Sequence, residues 1–161
     1  YNIRGDLEQA EAMYRKALAI NKELGRKQGI ASNYANLGIL YRIRGDLEQA
    51  EAMHRKSLAI EEEVGCKGGM ASAYANLGTL YRIRGDLEQA EAMYRKALVI
   101  DEELGRKEGM ASEYGNLGIL YKTRGDLEKA EAMYRKALTL FKEIGAMPQI
   151  NQIEHLIIDL R

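Results

Sequence analysis

What this chain is short of narrows its chemistry first. Cys66 is the only cysteine, so no intramolecular disulfide or zinc cluster can form. Its position reads as a surface-loop thiol, and a reducing, cytoplasmic setting fits it. Only two histidines occur, His54 and His155, in unrelated places. They assemble neither a two-histidine metal site nor a triad, so no enzyme, metal or cofactor is expected. Net charge is missing too, with 24 basic residues against 24 acidic ones. Nucleic-acid binders carry a basic excess or stripe, and here Arg and Lys alternate with Glu along the chain, which excludes a phosphate-tracking surface. No apolar run approaches the about 20 residues that span a bilayer, and no signal-peptide pattern opens the sequence. The glycines beside Cys66 lack the Gly-Lys-Ser/Thr ending of a phosphate loop.

What is present is a unit of 40 residues repeated without insertion. Gly5, Gly45, Gly85 and Gly125 open four copies, and the first and third match at 31 of 40 positions. A period in this range is the signature of a solenoid, whose units bury their apolar faces on one another. The expected divisions are 5–44, 45–84, 85–124 and 125–147, preceded by a helix tail at 1–4 and followed by a terminal helix at 148–161. Tyr1 is equivalent to Tyr41, so the chain reads as part of a longer array.

Each unit holds two helices. The first is expected from Asp6, an N-cap with Gln9 as its capping-box partner, through Leu7, Ala10, Met13, Tyr14, Ala17 and Leu18 to a left-handed end at Gly25. Met13, Met53, Met93 and Met133 read as core fillers. After a loop at Arg26 to Gln28, the second helix is expected over Gly29 to Ile43. Mid-helix Gly38, Gly78 and Gly118 cost about 1 kcal/mol each relative to Ala. They imply close approach by a neighbouring helix, with Ala50, Ala90 and Ala130 as the expected partners. In the fourth copy Pro148 suits a helix first turn and opens the terminal helix. Arg-Gly-Asp, at Arg4, Arg44, Arg84 and Arg124, reads as the turn between helices and not as an adhesion motif.

Leu77, Gly78, Tyr81, Gly85, Ala90, Tyr94 and Ala97 recur in register, and this pattern resembles the tetratricopeptide repeat. Tyr34 stands where that family usually has Trp, and the helix-ending Pro of its 34-residue form is absent. The longer 40-residue form is similar to the arrays of kinesin light chain and of the Leu-Gly-Asn-repeat spindle-orientation scaffold. The resemblance implies an all-α, right-handed superhelical solenoid of antiparallel helix hairpins that acts as a protein-interaction scaffold. In such arrays the A helix, here the second helix of each unit, lines a concave, peptide-binding side.

With Leu37 and Gly38 turned inward, residues at three- and four-residue steps form an opposite stripe. It comprises Ser32, Ala35, Ile39, Arg42 and Ile43 in the first copy, with Asn36 at its edge. Ser72, Asn76, Thr79 and Arg82 follow in the second, and Ser112, Asn116, Ile119 and Lys122 in the third. The asparagines offer amide donors and an acceptor to an extended peptide backbone. The basic rung of Arg42, Arg82 and Lys122 favours an acidic or carboxylate-bearing peptide. A head-to-tail homo-oligomer, or a spacer or sensor arm of a larger signalling protein, is the alternative expectation.

Overall fold

The repeat's glycines sit where the backbone must turn left-handed. In the computed structural model, which describes residues 3–160, Gly25, Gly45, Gly65, Gly85, Gly105, Gly125 and Gly145 have φ between +63° and +83°. Between them run eight helices among the described residues: α1 (Ile3–Glu23), α2 (Lys27–Arg44), α3 (Leu47–Val64), α4 (Lys67–Arg84), α5 (Leu87–Leu104), α6 (Lys107–Arg124), α7 (Leu127–Glu143) and α8 (Met147–Ile158). None is long and apolar enough to cross a membrane.

The turns explain both the boundaries and the caps. The Gly45 N–H donates to the Arg42 carbonyl at 3.0 Å, and the Asp46 N–H to the Tyr41 carbonyl at 2.9 Å. These bonds satisfy the last carbonyls of α2, a Schellman-type ending. Asp46 then caps α3 by accepting from the Gln49 N–H at 3.2 Å, and Asp86 and Asp126 do the same for α5 and α7. The reciprocal half of the expected capping box is not made, because the Asp N–H is already committed to the preceding helix. Gln89 instead donates its side-chain amide to Asp86 at 3.0 Å.

Two expectations at the first copy change. α1 runs unbroken through Gly5 and Asp6, so Asp6 lies inside the helix and does not cap it. The acceptors that would pin a turn there, counterparts of Tyr41 and Arg42, are Tyr1 and Asn2, which lie outside the described residues, while Ile3 and Arg4 belong to α1. The loop expected at 26–28 shrinks to Arg26, the N-cap of α2, which makes no side-chain cap bond.

The chain divides into two compact units, Tyr1–Leu80 and Tyr81–Arg161, within α4. In the first, α2 packs against α1 and α3. Leu37, Leu40, Tyr41, Ala50 and Leu80 form its core, with Leu7, Ala10, Tyr14, Leu18, Leu47 and Met53 against it. Each buried Leu contributes on the order of 1.5–3 kcal/mol. Met13 departs from its expected core role and is 70% exposed, because α1 packs chiefly against α2 and Met13 lies off that contact face. In the second unit α6 packs against α5 and α7, and α8 against α7. Ile150, Ile153 and Ile157 form the buried stripe of α8.

Ala50 and Ala130 are fully buried, but they are not what the mid-helix glycines accommodate. A Cβ placed on Gly38 would lie 2.6–2.8 Å from three atoms of the His54 ring. One on Gly118 would lie 3.1 Å from Tyr134 Cγ and closer still to Cδ1 and Cε1. The glycine lets a flat ring lie on the backbone of the partner helix, and both rings are completely buried.

Adjacent helices are also pinned at the surface. In the second unit Glu91 of α5 accepts from Tyr121 of α6 at 2.6 Å, from Arg95 at 2.8 Å and from Arg124. Arg95 also donates to the Tyr121 hydroxyl at 2.8 Å. The first unit repeats this with Glu11, Tyr41, Arg15 and Arg44. The recurring Arg of Arg-Gly-Asp thus reaches back to a carboxylate of the preceding helix. Burial raises the Glu91 carboxyl, but bonds from Tyr121, Arg124 and Arg95 outweigh it and hold it at about 2. A depressed carboxyl stabilises the fold above its ordinary range near 4.5, and that contribution is lost as pH falls toward 2. Tyr121→Phe is expected to cost about 1 kcal/mol at pH 7 and to raise the Glu91 titration midpoint. Urea unfolding and carboxyl-carbon NMR check the two effects, and an unmoved Glu91 midpoint would contradict them.

Candidate functional site

The expected contact residues fall on α2, α4 and α6. The first unit holds Ser32, Asn36, Ile39 and Arg42 on α2, and Ser72, Asn76 and Thr79 on α4. Arg82, Ser112, Asn116, Ile119 and Lys122 belong to the second. The three serines are exposed and the other nine residues are half-buried. The Ser72 and Ser112 hydroxyls donate back to Gly68 and Glu108 carbonyls at 3.1 and 2.9 Å. Thr79 does the same to Ala75 at 3.1 Å. These three hydroxyls therefore face outward chiefly as acceptors.

Three of the expected residues come together in one groove. Ser112, Asn116 and Ile119 of α6, with Ala111 and Gly115, line a cleft of about 180 Å³. Phe141 of α7 and Gln149, Gln152, Ile153 and Leu156 of α8 complete it. Gly115 stands where α2 and α4 carry Ala35 and Ala75, and this deepens the groove. The lining pairs an apolar floor with neutral amides and contains no charged side chain. Lys122 is not part of it.

The basic rung sits partly over the core. The Arg42 charge helps burial to depress the His54 imidazole, which lies at about 4. Burial raises the Tyr134 phenol, and the Arg82 charge opposes that rise. Arg82 Nε is itself buried and has no hydrogen-bond partner among the described residues.

Bonded to the groove-lining Asn116 is a residue that the spacing of the stripe does not reveal. Glu113 of α6 is 4% exposed and accepts from Asn116 Nδ2 at 3.3 Å. Burial, joined by the charge of Asp101, raises its carboxyl to about 7, while the Asn116 bond works against the rise. Asp101, raised by its own burial, pairs with Arg106 at 3.3 Å and packs over Gly109. The signal in the sequence is a departure from the repeat, since the first two copies carry Asn33 and Ala73 and the terminal helix Ile153 where this one has Glu113.

Comparison with known proteins gives these helices a lineage. The tetratricopeptide repeat profile matches residues 1–63 and 69–143. The chain belongs to the tetratricopeptide repeat family. Such repeats generally mediate protein–protein interaction or scaffolding. Among solved structures, this tetratricopeptide chain is similar to BtubC (BKLC) from P. vanneervenii, at 24% identity over 98% of this chain and 74% of that one, with a TM-score of 0.77. It is also similar to a candidate kinesin light chain of Podosopora anserina with nearly identical TPR-like repeats. There the identity is 14% over 98% of this chain and 78% of that one, with a TM-score of 0.74. Both likenesses establish the fold, an all-α solenoid of antiparallel helix hairpins. No curated protein matches the chain.

Proposed function

We propose that this tetratricopeptide array binds a segment of a partner protein along α2, α4 and α6, with Asn36, Asn76 and Asn116 engaging the segment's backbone. The α6–α8 groove carries the reading, because Ser112, Asn116 and Ile119 meet Gln149 and Gln152 there around an apolar floor. Amides suit an extended backbone, since each supplies donors and an acceptor whatever the side chain attached to that backbone. The uncharged lining takes a neutral stretch. Arg42, Arg82 and Lys122, nearer the C-terminal end of each helix, would receive an acidic side chain.

The test is a pull-down from lysate with the parent chain beside Asn36→Ala/Asn76→Ala/Asn116→Ala, confirmed folded by circular dichroism. A partner held by the parent and lost by the variant is expected. Equal retention would move binding to other surfaces. Capture of nothing by either chain would turn to the second reading, self-association through the exposed Met13 and Ile20 of α1 and Leu24 just after it, which light scattering at two concentrations reads.

A further inference from the structure

We propose that Glu113 is a positioning residue: it sets which hydrogen-bonding face Asn116 turns to the α6–α8 groove, so that this rung reads donors while Glu113 is ionised and acceptors once it is protonated. The inference rests on the reading of this groove as the docking site. An ionised carboxylate can only accept. It therefore draws the Asn116 NH2 toward itself, as the 3.3 Å bond records, and leaves the amide carbonyl as the group free to meet a ligand. A protonated carboxyl carries a donor of its own. It can pair with the Asn116 carbonyl instead, which releases both N–H groups to the groove. Ionised, Glu113 makes the rung a receptor for a backbone N–H or an amide or ammonium side chain. Protonated, it favours a carbonyl or carboxylate.

The surroundings make this equilibrium accessible near neutrality. Glu113 is almost fully buried, and burial is the main cause that lifts its carboxyl to about 7. From α5 the charged group acting on it is Asp101, which adds to the rise. At the α5–α6 turn Arg106 is engaged with Asp101. The α7 and α8 side chains lining the groove, Phe141, Gln149, Gln152, Ile153 and Leu156, carry no charge. The other copies lack the device. Asn33 donates to the Gly29 carbonyl at 2.8 Å, and Ala73 has no polar side chain.

The experiment uses the full chain without any ligand. Side-chain amide resonances of Asn36, Asn76 and Asn116 are followed by NMR from about pH 5 to about pH 9, on both sides of the raised Glu113 carboxyl at about 7 and above the ordinary carboxylate range, together with the Glu113 carboxyl carbon. The Asn116 pair is expected to move along one sigmoid with the Glu113 midpoint, and Asn36 and Asn76 to stay still. Glu113→Gln, which is isosteric and cannot ionise, is expected to abolish the Asn116 titration with helicity unchanged. An Asn116 amide that ignores pH, or one that still titrates in Glu113→Gln, overturns the proposal. Either result leaves the docking reading intact, and the pull-down can fail without touching the Glu113–Asn116 coupling.

Discussion

Gly118→Ala is expected to destabilise the second unit by about 2 kcal/mol, although replacing a mid-helix glycine by alanine is ordinarily favourable by up to about 1 kcal/mol. The added Cβ would press into the Tyr134 ring. That ring is completely buried, so it can yield only by moving α7 relative to α6. Overpacking of this kind typically costs 1–3 kcal/mol or somewhat more. Gly115→Ala, one turn earlier on the same helix, supplies the control. Its Cβ would meet only Ile153 Cδ1, at 3.5 Å, an ordinary contact, so the propensity gain should survive as about 0.5–1 kcal/mol of stabilisation. Urea unfolding followed by circular dichroism reads both variants. Opposite signs are expected, and equal effects would mean that the ring does not lie on the glycine as described.

The contrast between these two glycines also marks how far the sequence could be read. Periodicity places Gly38 and Gly118 on an inward face and identifies them as points of close approach. It does not name the opposing side chain, because that depends on the axial register of two packed helices. Ala50 and Ala130 satisfied the spacing, yet the atoms above the glycines are those of His54 and Tyr134. The turns were easier, since Gly45 and Asp46 act through bonds to residues at most five positions away. Arg44 and Arg124 lay at the other extreme. Their acceptors, Glu11 and Glu91, stand 33 positions back, and only the folded hairpin brings them together.

At the candidate site the stripe on α6 was legible as an exposed helical face, and Ser112, Asn116 and Ile119 do share a groove. The other wall was not legible. Gln149, Gln152 and Leu156 come from α8, which departs from the repeat, so no copy-to-copy comparison could align them with the stripe. Glu113 was visible as an odd residue in a near-identical series, but its burial was not. A charge at one step of a helix reads as solvated until a neighbouring helix is placed against it. In repeated chains, positions where one copy breaks the pattern repay inspection for this reason.

Stability is expected to change with pH in opposite directions in the two units, and His54 and Glu113 are the causes. In the first unit burial and the Arg42 charge hold the His54 imidazole at about 4, below its ordinary 6.5. Between these values the unfolded chain binds a proton that the folded one refuses, so stability falls as pH drops from 6.5 to 4. In the second unit the Glu113 carboxyl is lifted from 4.5 to about 7. There the folded state keeps a proton that the unfolded chain has released, so stability falls as pH rises through that window, and the raised Asp101 carboxyl acts with the same sign. Each displacement corresponds to roughly 3 kcal/mol at most. Glu11 and Glu91, held at about 2, contribute their pH dependence only below 4.5 and do not blur the comparison. A global melting curve would average the two slopes, whereas hydrogen exchange, converted to opening free energies at each pH, resolves local stability along a repeat array. His54→Tyr, which installs the residue that α5 and α7 carry as Tyr94 and Tyr134, should flatten the first unit's profile and leave the second's. Glu113→Gln should do the reverse and raise second-unit stability at pH 7. Parallel slopes in the two units, or a profile unmoved by its own substitution, would show that these buried groups do not govern the response.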